Sequence, residues 1–254
     1  MVDSGSDEIA RARERAQAFV AERGDEFALR RARALAGLGP ASRVVEWLER
    51  ADPMALPDDC AALAALADLG ALRGAFVECA VARLAAQQRA DGSFAPAGDA
   101  AEATAIAATG RRLGLLARTA CVRDRVLDAA ADWLAARFAP ERVQGFAWEP
   151  LDGYAAAFSN VPHDASDAIL QWCGRELERG FRAGAFDGVA TARVLLDCDA
   201  PSLPGARLAP QEVLLSIVGA QQEDGGFATG AGGGDRVARS LDALAALRRL
   251  APAR

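Results

Sequence analysis

The pattern of apolar and polar positions along the chain is helical almost throughout. Apolar residues recur at steps of three and four, no segment alternates with period two, and alanine, the residue with the best helix propensity, dominates. Prolines fall between these segments, where they end helices. The pattern predicts paired helices at 6–22 and 27–37, 41–51 and 57–69, 71–89 and 99–116, 122–138 and 152–159, 164–181 and 187–198, and 209–222 and 235–250.

Two similar phrases indicate that these pairs are repeats. LAAQQRADGSF at 84–94 and VGAQQEDGGF at 218–227 each follow a helical segment, and they lie three steps of about 44 residues apart. Weaker copies occur at 21–29, 141–150 and 180–189. Six helical hairpins predict an all-α fold, a single domain over 1–254 that closes as an (α/α)6 toroid with inner and outer helix rings. An open solenoid is the alternative, and residues 1–5 are predicted to be disordered.

Composition excludes several function classes. The 29 basic residues are all arginine and are outnumbered by 35 acidic ones, which argues against nucleic-acid binding. Without lysine there is no Schiff-base chemistry and no P-loop, and a single histidine, His163, cannot form a His-rich metal site. His163 is predicted to lie in a surface turn. Five scattered cysteines are predicted to be reduced core thiols.

Location and membrane association follow from the same residues. The first residues of the chain lack the apolar region of a signal peptide, and no later run reaches the roughly 18 apolar residues of a membrane span. The sequence therefore predicts a cytoplasmic protein without stable membrane insertion.

The repeated phrases resemble the QW repeat of the terpenoid cyclase and protein prenyltransferase superfamily, with Phe94 and Phe227 in place of tryptophan. The resemblance implies the toroid fold. It also implies that a glutamine near the end of each outer helix, Gln87 or Gln88 and Gln221 or Gln222, bonds free backbone groups at helix ends.

The segment MALPDDCAALAALADLG at 54–70 resembles the acid motif of class II terpene cyclases such as squalene-hopene cyclase. In one register Asp58 corresponds to the proton donor and Cys60 to the motif threonine. In a second register, that of oxidosqualene cyclases, Asp59 is the donor. Leu56 replaces the first aspartate of the full motif. The alternative is that Asp58 and Asp59 are ordinary first-turn acids that complement the helix dipole.

A cyclase also needs a wall that withstands a carbocation, and aromatic faces provide one. The aromatic residues predicted at or near inner-helix starts, together with Cys60, are Phe27, Trp148, Tyr154, Phe158 and Phe186. Arg236 lies in the glycine-rich run 228–240, which is either a diphosphate cradle at a helix start or a surface loop.

Further acids are predicted at or near inner-helix starts, as caps or first-turn residues. They are Asp25, Glu26, Asp99, Glu102, Glu149, Asp152, Asp187 and Asp235. No cofactor is expected, although a ring of these carboxylates would also suit a divalent metal.

Two functions remain open. One is a terpene-cyclase-like enzyme of the isomerase or lyase type, in which Asp58 or Asp59 protonates an isoprenoid or other polyunsaturated apolar substrate. The other is a non-catalytic toroid that binds an apolar ligand or a partner protein. Because the chain has length for only one α-domain, the missing wall of the cavity would come from a second copy, a partner subunit, or the chain's own loops such as 139–163 and 199–210.

Overall fold

The computed structural model describes residues 4–96, 98, 100–229 and 235–251. These residues form twelve α-helices and no strand, as the sequence pattern predicts. The helices are α1 Ser4–Arg23, α2 Glu26–Leu35, α3 Ser42–Arg50, α4 Asp59–Asp68, α5 Ala75–Ala85, α6 Glu102–Ala117, α7 Asp124–Ala135, α8 Trp148–Asn160, α9 Ser166–Arg182, α10 Gly188–Asp197, α11 Pro210–Gly219 and α12 Arg236–Leu250.

The helix starts differ from the predicted ones by one to four residues, and three of them have an identifiable feature. α1 begins at Ser4, inside the segment expected to be disordered, while residues 1–3 lie outside the described part. α5 begins at residue 75 rather than 71 because Gly74, with φ of 104°, turns the chain immediately before it. α8 begins at Trp148 rather than at Asp152 because its proline, Pro150, falls in the first turn, where a missing N–H costs no hydrogen bond.

Aspartate side chains start several even-numbered helices. Oxygens of Asp25, Asp58, Asp187 and Asp235 accept hydrogen bonds from backbone N–H groups in the first turn at 2.7–2.9 Å. The cap predictions for Asp187 and Asp235 are therefore confirmed, and Asp99 lies outside the described residues. Each cap satisfies an N–H group that has no partner within the helix.

The even-numbered helices contact one another in sequence. α4 packs on α6, α6 on α8, α8 on α10, α10 on α12, and α12 on α2. The last pair therefore lies against the first, and α1 also contacts both α11 and α12. The residues of α8 from 150 to 158 are buried without exception, as expected for a helix surrounded by others.

The two similar phrases form the same turn. The Gln88 side-chain amide donates to a carbonyl of its own turn at 3.0 Å and to the Val126 carbonyl of α7 at 2.8 Å. Gln221 donates to its own turn at 2.8 Å and to the Ala12 carbonyl of α1 at 2.9 Å. Gln88 and Gln221 thus each join their own turn to a neighbouring helix, through carbonyls within α7 and α1 rather than through the free groups at helix ends that the sequence predicts. The last turn binds α1 as the third-pair turn binds α7.

Glycine allows the close approach in both turns. Gly92 and Gly225 have φ of 90° and 87°, and a Cβ at either position would lie within 2.4 or 2.6 Å of a carbonyl oxygen, of Ala129 in α7 or of Arg15 in α1. The aromatic residue that follows, Phe94 or Phe227, is fully buried in each case. α1 therefore occupies the same position beside the last turn that α7 occupies beside the third-pair turn.

Candidate functional site

A cavity of about 910 Å³ lies where five even-numbered helices end. We call it the carboxyl-end cavity, because residues at or just beyond the ends of α2, α4, α6, α10 and α12 line it together with one face of α1. The lining residues are Ile9, Ala10, Arg13, Glu14, Gln17, Ala36, Leu38, Ala67, Asp68, Leu69, Gly70, Arg118, Leu196, Asp199, Arg248, Arg249 and Ala251.

Arginine side chains at this cavity satisfy the free carbonyls of the helix ends. Arg13 and Arg248 donate to the Leu35 and Ala34 carbonyls at the end of α2, at 3.4 and 3.0 Å. Arg118 donates to a carbonyl near the end of α10 at 3.2 Å. The last carbonyls of a helix have no partner within it and carry its negative dipole end, so a cation is favourable there.

Carboxylates at the cavity are largely paired. Asp199 accepts from Arg249 at 2.7 Å and lies 3.6 Å from Arg118. Asp68, at the end of α4, forms ion pairs with Arg31 at 2.6 Å and with Arg193 at 3.0 Å. Its side chain is only 1 % exposed, so it forms a buried floor of the cavity.

Asp68 belongs to a larger group of charges where the even-numbered helices meet. Arg193 of α10 also contacts Asp197 at 2.7 Å and Asp242 of α12 at 3.4 Å, and Arg31 of α2 lies 3.9 Å from Asp242. Arg111 of α6 pairs with Asp152 of α8 beside this cluster. The central charge network comprises Arg31, Asp68, Arg111, Asp152, Arg193, Asp197 and Asp242.

Burial and charge act in opposite directions within this network. Burial disfavours ionisation of Asp68, but Arg193 and Arg31 outweigh it and lower the pKa of that carboxyl. Asp152 is 1 % exposed, and burial raises its pKa to about 6 even though Arg111 acts against the shift. The network contains three arginines and four aspartates. Of the two carboxyls Asp68 and Asp152, Asp152 holds a proton more readily. The prediction that Asp152 is an ordinary first-turn acid is wrong, because α8 begins four residues earlier and turns it inward.

The two acid candidates lie at the start of α4. Asp58 is exposed and caps the helix through the Ala61 N–H at 2.9 Å. Asp59 forms a bidentate ion pair with Arg83, at 2.6 and 3.0 Å. Burial, followed by the charge of Asp58, raises the pKa of the Cys60 thiol to about 11. These contacts are those of a helix start that is capped and paired with its neighbour α5.

The aromatic residues expected to form one wall lie in three places. Phe27 stacks on Trp47 with ring centroids 5.4 Å apart. Trp148 and Phe186 meet edge to face at 5.1 Å. Tyr154 and Phe158 are buried in the core, where the Tyr154 ring packs on Phe138. Among the described residues these aromatics therefore do not surround one cavity.

A shallow groove of about 390 Å³ lies near the starts of α6 and α8. Its apolar wall includes Ile106, Trp148 and Pro150, and Arg142 on its edge pairs with Glu102 at 2.5 Å. Of the expected wall residues, Trp148 alone lines it.

The remaining candidates have local partners. Arg236 pairs with Asp224 at 2.8 Å and lies over the Phe19 ring, while residues 230–234 of its glycine-rich run lie outside the described part. His163 accepts the Ala165 N–H at its Nδ1 at 3.1 Å, in the turn before α9.

The side chains that could bind a metal or undergo redox chemistry do not form a common site in the described part of the chain. In the part of the chain that the structure describes, no three His, Cys, Asp or Glu side chains are grouped to hold a metal ion. All five cysteines are free; Cys173 and Cys198 are buried as expected, whereas Cys79 and Cys121 are exposed. None of the described helices is long and apolar enough to cross a bilayer.

Comparison with known proteins gave no match: no family, no curated protein and no solved structure is similar to this chain. The cavity and the charges around it are therefore the features that indicate a function.

Sequence reasoning missed both the carboxyl-end cavity and the central charge network. One signal for the network exists in the sequence, because successive even-numbered helices contribute inward charges of alternating sign, with α10 adding Asp197 to Arg193. Arg31 and Asp68 are 37 residues apart, and Arg111 and Asp152 are 41 apart. This spacing is close to the repeat length inferred from the two similar phrases.

Proposed function

We propose that the six helical pairs close into an (α/α)6 ring with the even-numbered helices inside, and that this ring binds a small molecule in the carboxyl-end cavity without transforming it. The observation that carries the proposal is the convergence of five helix ends on one cavity of about 910 Å³. That volume lies within the range of about 300–1,000 Å³ that is usual for ligand sites.

Ring closure is supported by the contacts between the first and last pairs. Gln221 bonds α1 across 209 residues of sequence as Gln88 bonds α7 across 38. Arg248 of α12 reaches the end of α2, and the Arg31–Asp68 ion pair joins α2 to α4. An open solenoid offers no reason for its last turn to repeat on α1 the bond that joins internal neighbours.

The binding function is favoured over the cyclase function by the chemistry of the centre. Protonating an alkene requires a neutral acid that faces an apolar chamber. Asp59 is engaged by Arg83, an interaction that uses its ionised form, and Asp58 is an exposed cap. The inner helices meet instead through charged side chains. Their carboxylates, or water bound to the charged groups, would react with a carbocation and quench it. No described contact favours the cyclase hypothesis.

The compartment of the protein and the number of copies needed for binding also belong to the proposal. We place the protein in the cytoplasm, because the exposed free thiols of Cys79 and Cys121 suit a reducing compartment. We also propose that one copy suffices for binding, because α1 of the same chain supplies the outer wall of the cavity.

Blocking the cavity tests the proposal. Ala10 lines the cavity from α1, whereas Ala18 lies on the exposed face of the same helix. We expect wild type and Ala18→Trp to bind one equivalent of Nile red, an uncharged apolar dye, and Ala10→Trp to bind it at least tenfold more weakly at an unchanged melting temperature. Equal affinity of all three proteins, or no binding by wild type, would contradict a ligand site in this cavity.

A further inference from the structure

We infer that the ligand of the carboxyl-end cavity is an amphipathic organic anion, a carboxylate or phosphate with an apolar body, whose charged group is bound by Arg248, with the charge of Arg118 at the same cavity adding to the attraction. This inference rests on the proposed function, since it assigns a chemical class to the occupant of the same cavity.

Basic side chains outnumber acidic ones in the cavity lining, whereas acidic ones outnumber basic ones in the whole chain. Four arginines line the cavity, whereas the whole chain has a net charge of −6. Of the three lining acids, Asp68 is occupied by Arg31 and Arg193, and Asp199 by Arg249 and, at 3.6 Å, by Arg118. Glu14 is exposed. Within the described residues Arg248 has a backbone carbonyl as its hydrogen-bond partner and no carboxylate.

At the end of α2, the positive charge of Arg248 exceeds the partial negative charge of the helix end. Each helix end carries a partial charge of about −0.5, shared over its last carbonyls, whereas a guanidinium carries a full charge. Arg248 uses one N–H on the Ala34 carbonyl, and a guanidinium has about five such donors. The carbonyl bond therefore fixes the side chain and leaves donors for a bidentate contact to a carboxylate or phosphate.

The apolar part of the ligand is indicated by the other lining residues. Ile9, Leu38, Leu69 and Leu196 line the same cavity. Leu38 is 60 % exposed, so its side chain is accessible to an apolar part of a ligand. A ligand with an apolar chain would cover this side chain while its charged group meets the arginines.

Displacement of Nile red from the wild-type protein by four twelve-carbon compounds tests the inference. We expect dodecanoate and dodecyl phosphate to displace the dye at concentrations at least tenfold lower than dodecanol, and dodecylammonium to be the weakest. The two anions distinguish a carboxylate site from a phosphate site. All four are used below the concentration at which they form micelles.

Substitution of one arginine assigns the charge. Arg248→Gln keeps a donor for the Ala34 carbonyl but removes the charge, so we expect the preference for the anions over dodecanol to fall at least fivefold, while Nile red still binds. The matched control is Arg43→Gln, an exposed arginine of α3 whose side chain is 70 % exposed, which should keep the full preference.

The outcomes separate the inference from the proposed function. Equal displacement by dodecanol and the anions, no displacement by any compound, or an unchanged preference in Arg248→Gln would overturn the inference and leave the dye-binding cavity in place. Failure of Nile red to bind to wild type, with no binding of the four compounds by calorimetry, would overturn both.

Discussion

At the scale of single residues, Asp152 is a buried carboxyl in unfavourable electrostatic surroundings. Its side chain is 1 % exposed, Arg111 contacts one carboxylate oxygen, and the other oxygen has no hydrogen-bond partner among the described residues. Nearby Asp197 adds a like charge. A buried acceptor without a donor costs about 1–3 kcal/mol, and protonation of Asp152 relieves both the burial and the repulsion.

The pH dependence of stability should reveal this carboxyl. Its folded pKa, about 6, exceeds the model-compound value of 3.8, so the folded state binds the proton more tightly, and the stabilisation present below about pH 4 is lost as pH rises through 6. We expect the free energy of unfolding of wild type minus that of Asp152→Asn to fall by about 2–3 kcal/mol between pH 4 and pH 7. Urea denaturation at each pH measures it.

The control for this prediction is Asp128→Asn, which removes an exposed carboxyl from α7. Its difference from wild type should stay nearly constant over the same pH range. A constant difference for Asp152→Asn as well would show that Asp152 ionises like an exposed carboxyl, and the description of the network would then be incorrect.

Local rules were sufficient for some residues and insufficient for others. The caps Asp187 and Asp235 were predictable because a cap depends on backbone N–H groups two or three positions away. Asp152 also lies near a predicted helix start, but its partner Arg111 lies 41 residues away in the sequence. Only the packing of α6 on α8 brings the two together, and no single-helix pattern contains that information.

At the scale of elements, the closest helix pair is α6 with α8, and glycine makes it so. A Cβ on Gly110 would lie 1.9 Å from the Gly153 carbonyl oxygen, and one on Gly153 would lie 2.7 Å from the Ile106 carbonyl oxygen. Both neighbours are backbone atoms, which cannot rotate away as a side chain could. This approach places Arg111 beside Asp152, so the pair depends on the glycines.

Adding one methyl group tests this packing. Gly110→Ala should destabilise the protein by more than about 3 kcal/mol, because the two helices must separate and the core must open. Gly219→Ala is the matched control, since Gly219 also lies in a helix but nothing occupies the space around its added Cβ. It should stabilise by about 0.5–1 kcal/mol. Thermal and urea unfolding of the two variants would measure the contrast, and similar effects would refute it.

The elements themselves were predictable because helical periodicity is a local property. All twelve helices fall on segments that the apolar spacing predicts, and the errors are confined to their ends, such as the starts of α5 and α8. At each repeated turn, the sequence does not determine which of two adjacent glutamines forms the bond to the neighbouring helix. The structure distinguishes Gln88 from Gln87 because the amide must reach a carbonyl of α7.

At the scale of the whole molecule, the even-numbered helices are joined by charges as well as by apolar packing. Arg193 contacts aspartates on α4, α10 and α12, and Arg31 adds α2. Such buried pairs contribute little net stability, because desolvation offsets much of their attraction, but a wrong register would leave a charge unpaired. We therefore expect the network to fix the order and register of the inner helices. The residues of the network are far apart in the sequence, so the pattern of a single helix does not reveal the network.

Ring closure itself predicts tolerance to a change in chain connectivity. If the joint between α12 and α1 is equivalent to the joints between internal pairs, the break in the chain can be moved to another joint. We expect a circular permutant that opens the connection between α6 and α7, at 118–123, and joins residue 254 to residue 1 through four glycine and serine residues to fold with the helical content of wild type. The termini, residues 252–254 and 1–3, and this linker together span up to about 33 Å, and Ile9 and Ala251 already line one cavity.

The permutant distinguishes the two architectures because it keeps every residue and changes only one connection. In a closed ring the Gln221 bond to α1 and the α1–α12 packing persist, so circular dichroism and a cooperative unfolding transition within about 10 °C of wild type are expected. Nile red binding should also persist, because the new connection passes outside the inner helices. In an open solenoid the first and last pairs would be far apart and the linker would pull them out of place. An unfolded or aggregated permutant, compared with a permutant opened within α8 as the negative control, would therefore count against the closed ring.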